Sequence, residues 1–130
     1  MSTPNQPAPE PGTLAAIMAG LAKPIPSRLI YQKDTGKFKA DYVHHAIMRN
    51  LLDHYAPGWE WTVRLYDTAG TLYVVGTLTI HGSDRSQTRD GIGNENDEVG
   101  GFGDPSSNAE AQALRRAAMA HGLGRHLWLK

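Results

Sequence analysis

The stretch GWEWTVRLYDTAGTLYVVGTLTIHGSDRSQTRDGIG, residues 58–93, decides the fold. Its apolar residues recur at every second position. That is the spacing at which side chains of an extended strand share one face. Trp59, Trp61, Val63 and Leu65 alternate with Glu60, Thr62, Arg64 and Tyr66. After DTAG, a turn sequence, Leu72, Val74, Leu78 and Ile80 repeat the pattern. HGSD makes a second turn, and RSQTRDGIG reads as a third, more polar strand. Three alternating strands joined by short turns predict an antiparallel meander with one dry face. Trp59, Trp61, Val63 and Leu65 are expected in the core. Tyr66 and Tyr73 are expected on the wetter face, available for stacking or for contact between subunits.

Towards the C-terminus, residues 91–104 are glycine-rich and acidic, which predicts a loop. The glycines lack the spacing of a nucleotide-binding loop, and the acids would repel phosphate. Asp104-Pro105 then offers an N-cap followed by proline at the first helical position. Ser107 with Glu110 offers a capping box as an alternative start. In the helix, Leu114, Ala117, Ala118 and His121 are expected to face the sheet, with small alanines allowing close approach. Arg115 and Arg116 should then project away from it. Positions 111–113 read Ala-Gln-Ala, so neither arginine has an acid in the preceding turn. A pair of forked guanidiniums without carboxylates suits phosphate.

Towards the N-terminus, the proline-rich residues 1–12 predict a disordered tail. Thr13 can cap a short helix running to about Ala22, which KPIP breaks. Residues 27–39 read as a basic, irregular segment with a turn at DTGK. Asp41 is the expected N-cap of a helix over 42–55, ended by APG. The order is α-α-β-β-β-α, an α+β domain over residues 13–130.

The chain has 130 residues and no cysteine, which fits one core and excludes disulfides and thiolate metal sites. Asp41 and His45 have helical spacing for a metal, but two ligands are too few. His44 and His45 are read as exposed helix residues, and His121 and His126 as packing residues. No cofactor is implied, and no nucleophile–base or carboxylate pair marks an enzyme. Apolar runs are too short to span a membrane, and the expected location is cytoplasmic, associated with the nucleoid. The formal net charge is zero. The signs are nevertheless separated: residues 23–39 hold five bases and one acid, whereas residues 90–104 hold five acids and no base. Such a chain can still grip a polyanion with one face.

NAEAQALRRAAMAHGLGRHLW (108–128) resembles the closing signature of the RAD52-type single-strand annealing proteins, including their bacterial DdrA-like members. IPSR (25–28), ADYV (40–43), GWEWTV, LYVVGTLTIHG and DGIG resemble other parts of that domain in the same order. The resemblance covers roughly residues 24–130. It implies a closed homo-oligomeric ring whose basic groove holds single-stranded DNA by its backbone, so that complementary strands anneal without ATP. A phosphate-binding G-x-x-x-x-G-K-[ST] loop is absent, in keeping with this. By position, Arg115 and Arg116 match the basic pair at the base of the groove, and Arg28 matches an arginine that contacts the strand. Lys39 and Tyr42 match a basic residue and a tyrosine near the DNA. Met119 and Thr71 stand where some members carry basic residues, and Arg64, Arg85 and Arg89 are the candidates to compensate. The alternative is an oligomeric module that binds nucleic acid, DNA ends or a protein without annealing.

Overall fold

The structure, a computed structural model, describes residues 7–34, 39–96 and 104–129. Helix α1 (Leu14–Leu21) leads through a 3-10 turn (Ser27–Leu29) to a hairpin of β1 (Tyr31–Asp34) and β2 (Lys39–Tyr42). Helix α2 (His45–Tyr55) precedes the meander β3 (Glu60–Thr68), β4 (Thr71–His81) and β5 (Ser86–Asn96), and α3 (Pro105–Ala120) closes the fold. All strand pairs are antiparallel, and the three-stranded sheet has the order β3-β4-β5. The α+β class and the meander are as the alternation predicts.

Local chemistry explains the ends of these elements. Thr13 caps α1 by accepting from the Ala16 amide. The chain is tied down just before it, where the Ser83 amide donates to the Gly12 carbonyl and the Leu14 amide to Asp84 Oδ1. β3 and β4 are joined by the two-residue turn Ala69-Gly70, with φ of 51° and 81°. Two successive positive φ values match the twist of a tight hairpin. Asp104 caps α3 through the Ser107 amide, with Pro105 in the first turn, so the capping box is not the one used.

Two expectations near the N-terminus are corrected. Part of the supposed irregular segment 27–39 forms the β1–β2 hairpin, in which Tyr31 pairs with Tyr42. The DTGK turn falls mostly outside the described residues, as do residues 1–6 of the tail and 97–103 of the acidic loop. Asp41 lies in β2 opposite Gln32, so its backbone belongs to a strand ladder and cannot start a helix. α2 begins three residues later. His44 is the N-cap, accepting from the Ala46 amide through Nδ1.

The main core joins Leu14 and Leu21 of α1, Met48 and Leu52 of α2, Leu78 and Ile80 of β4, and Leu114 of α3. Full burial of each such side chain is worth roughly 1.5–3 kcal/mol. His121 is 4% exposed and packs as expected. Its ring bridges the Leu78 carbonyl and the Gln87 side chain. Burial lowers its pKa, the Leu78 carbonyl partly opposes this, and Arg89 adds to the lowering. This histidine therefore favours folding above its ordinary value of 6.5 and loses that contribution as the pH falls below it.

Helix α3 lies across β5 and β4 at unusually close range. A Cβ on Gly91 would fall on the Ala113 carbonyl, and one on Gly93 on the Ala109 carbonyl. Ala109, Ala113 and Ala117, spaced four apart, form the facing stripe, and Ala109, Ala113 and Ala117 are fully buried. The predicted third strand therefore runs on through residues 94–96, expected only in the loop, and its Gly91 and Gly93 are the seat of the helix. β3 is the edge strand away from α3. Only Trp61 of its inward face is covered, lying across Gly76. Val63 and Leu65, expected in the core, are 38% and 54% exposed because α3 does not extend over them.

Gly93→Ala should therefore destabilise the fold by about 1–3 kcal/mol, the usual range for overpacking. Urea unfolding checks this. Thr62→Ala on the open sheet face should stay within about 0.5 kcal/mol.

Candidate nucleic-acid interface

The middle of α3 meets the end of β2. The Arg115 guanidinium stands 6.0 Å from the centroid of the Tyr42 ring, a cation–π arrangement. Tyr31 flanks Tyr42 with its ring centroid 6.0 Å away. Arg115 is half-buried, not projecting freely as expected. Burial lowers its pKa, Tyr42 partly offsets this, and the charge of Arg116 adds to the lowering. A guanidinium remains cationic under such shifts. Among the described residues Arg115 forms no ion pair.

Arg116, one residue on, turns 100° around the helix to a different neighbour. Its Nη1 donates to the Ile92 carbonyl at 2.5 Å, while the rest of the side chain is exposed. One turn earlier, Gln112 donates to the Asn94 carbonyl and accepts from the Asn94 amide. Arg116 therefore braces β5 and still presents donors to solvent. The two arginines stay close in space but do different structural work.

The other predicted residues divide. Arg28 is exposed on the 3-10 turn before β1. Lys39 opens β2 opposite Asp34. Arg64 pairs with Val75 on the open face of the sheet. Arg89 pairs with Leu78, an inward position, and its Nη1 returns to the Thr88 carbonyl. Successive strand residues face opposite ways, so Arg64 and Arg89 lie on opposite faces of the sheet. The structure brings Arg115, Arg116 and Tyr42 together and does not gather Arg64 and Arg89 into one groove.

One neighbour of this cluster, Arg49, carries no signal in the sequence. Arg49 of α2 binds Glu110 with Nη2 at 2.8 and 2.6 Å from its two carboxylate oxygens. Trp61 Nε1 donates to the same carboxylate at 2.7 Å. Burial alone would raise the Glu110 pKa, but the hydrogen bonds from Arg49 and Trp61 and the charge of Arg49 outweigh it. This triad ties α2, β3 and α3 together and removes the helix's nearest acid from Arg115. His44 and His45 stack at 4.5 Å between centroids. His45 Nδ1 is buried without a hydrogen-bond partner among the described residues. Its pKa is lowered by burial first, then by His44 and Arg49. No group of three or more metal-ligating side chains occurs among the described residues. Nor is any described helix long and apolar enough to cross a membrane.

A fold of this order, with a basic and aromatic cluster on its closing helix, meets two known proteins in sequence. No protein-family profile matches the chain. It is 32% identical over 118 residues to the mitochondrial DNA repair RAD52-like protein 1 of Arabidopsis thaliana, a match covering 88% of this chain and 67% of that one. The chloroplastic DNA repair RAD52-like protein 2 of the same plant is 32% identical over 120 residues, covering 88% of this chain and 60% of the relative. The chain belongs to the RAD52-like family.

Glu110→Gln should cost about 1–3 kcal/mol, because Arg49 loses its charged partner in a half-buried site. The parent carboxylate is held below its ordinary value of 4.5, so its contribution is present above that pH and disappears as acid protonates the folded state. Acid titration of stability should be steeper for the parent than for Glu110→Gln below about pH 4.5.

Proposed function

We propose that this protein binds single-stranded DNA along its phosphate backbone, assembles as a closed homo-oligomeric ring, and anneals complementary strands without ATP in DNA repair and recombination. One observation carries the reading. Arg115 is held half-buried over Tyr42, free of an ion pair among the described residues, with the exposed donors of Arg116 beside it. A guanidinium with few alternative partners gains most from a phosphate, which it can engage through two parallel hydrogen bonds. The relatives' names as DNA repair proteins support the same direction.

The mechanism is one of holding, with no bond made or broken. Arg115 and Arg116 fix phosphates, and Arg28, exposed before β1, extends the basic path. Contacts to the backbone carry no sequence information and leave base edges open. A second strand can then pair with the displayed bases, and repetition around a ring multiplies weak contacts into a stable grip.

Arg115→Ala should weaken binding to an oligonucleotide and flatten its salt dependence. Each lost phosphate contact should reduce the slope of log affinity against log salt by about 0.7 for single strands. Fluorescence anisotropy across a salt series measures this. Annealing by the parent should persist in a chelator and without nucleotide. Binding without annealing would favour an oligomeric interaction module, and a strict need for magnesium or ATP would reject the proposal.

A further inference from the structure

Among the described residues, an apolar patch lies without cover at each end of α3. The first is a groove of about 290 Å³ lined by Val63, Leu65, Val74, Ser106, Ser107 and Glu110. It lies where β3 runs past the N-terminal end of α3. The second is Trp128 and Leu129, 56% and 77% exposed just beyond the 3-10 turn Arg125–Leu127. Leu127 anchors that segment to the main core, whereas Val74 belongs to a separate small cluster with Ala109 and Ala113.

The patches sit at opposite ends of α3. Sixteen residues of helix span about 24 Å at a rise of ~1.5 Å each. The groove uses the first turns and the Trp128 segment follows the last, so one patch is far from the other within a single chain. Charge differs between the ends as well. Around the groove stand Asp104, which accepts from Ser106 and Ser107, and Asp67, which follows Leu65 on the inward face of β3. At the far end are Arg125, bonded to the last carbonyls of α3, and Arg89, whose charge reaches His121.

We propose that Trp128 and Leu129 of one copy dock in the Val63–Leu65–Val74 groove of the next copy. The occupant is thus a second copy of this chain, chosen by apolar fit and by the opposite charge of the two ends. A buried tryptophan contributes about 150–250 Å² of contact. Because the two surfaces differ, the contact is head-to-tail and repeats from copy to copy, closing where the rotation permits. The proposal rests on the ring reading above and supplies its contact.

The chain has no cysteine, so single cysteines report cleanly. Leu65→Cys and Leu129→Cys chains, mixed and treated with a short bis-maleimide, should give a cross-linked dimer, while either alone should not. A chain carrying both should give a ladder of multimers. Leu65→Asp and Trp128→Ala should each weaken association at least tenfold by light scattering, with the parent's circular dichroism retained. A dimer from Leu65→Cys alone would mean a symmetric contact and overturn the proposal. An oligomeric mass without the mixed cross-link would overturn this contact and leave the ring standing. A monomer at every concentration, with and without DNA, would overturn both.

Discussion

The close seating of α3 on β5 governs the rest of the structure. Gly91 and Gly93 remove the side chains that would hold the helix off, and Ala109, Ala113 and Ala117 bring its backbone down onto theirs. At that separation the rotation of the helix is fixed, since only one stripe is narrow enough to fit. Every outward residue of α3 is then aimed. Glu110 reaches Arg49 and Trp61, Arg115 reaches Tyr42, and Gln112 and Arg116 reach the backbone of β5. A larger residue in the stripe or the ledge would displace all of these together.

This explains why two neighbouring arginines have such different settings. Arg115 is enclosed by β2 and keeps its charge available, because the helix's nearest carboxylate is engaged by α2. Arg116 leans over the sheet. The ion pair between Arg49 and Glu110 thus does two things: it fixes α2 to α3 and it engages the helical carboxylate nearest Arg115. In the proposed function, that arrangement selects an anion from outside the chain.

The meander, the cap at Asp104 and the alanine face of α3 are legible in the sequence. These depend on local signals: a period of two, a capping side chain, and small residues at helical spacing. Local signals misjudge features set by what lies alongside. Val63 and Leu65 carry a core pattern, but whether a helix covers them depends on where α3 ends, which alternation does not encode. Gly91 and Gly93 lie where the predicted strand and the predicted loop overlap, and their pairing with Gly76 and Val74 of β4 places them in β5. Tyr31 and Tyr42 flank the DTGK sequence at spacing suited to a hairpin, among basic residues that give the segment an irregular composition. Arg49 was hidden because its partner lies 61 residues away.

The bonds from Gln112 and Arg116 to β5 have a consequence for how copies of this chain can meet. An outermost strand normally offers its unpaired amides and carbonyls to any extended chain that passes, which is the usual opening for uncontrolled fibre growth. Here an amide side chain takes the place of a partner strand at Asn94, and a guanidinium occupies the carbonyl of Ile92. The margin of β5 is therefore occupied at Asn94 and Ile92. A passing strand cannot pair with β5 there without first displacing those side chains. Edge-to-edge growth along β5 is obstructed at those two residues.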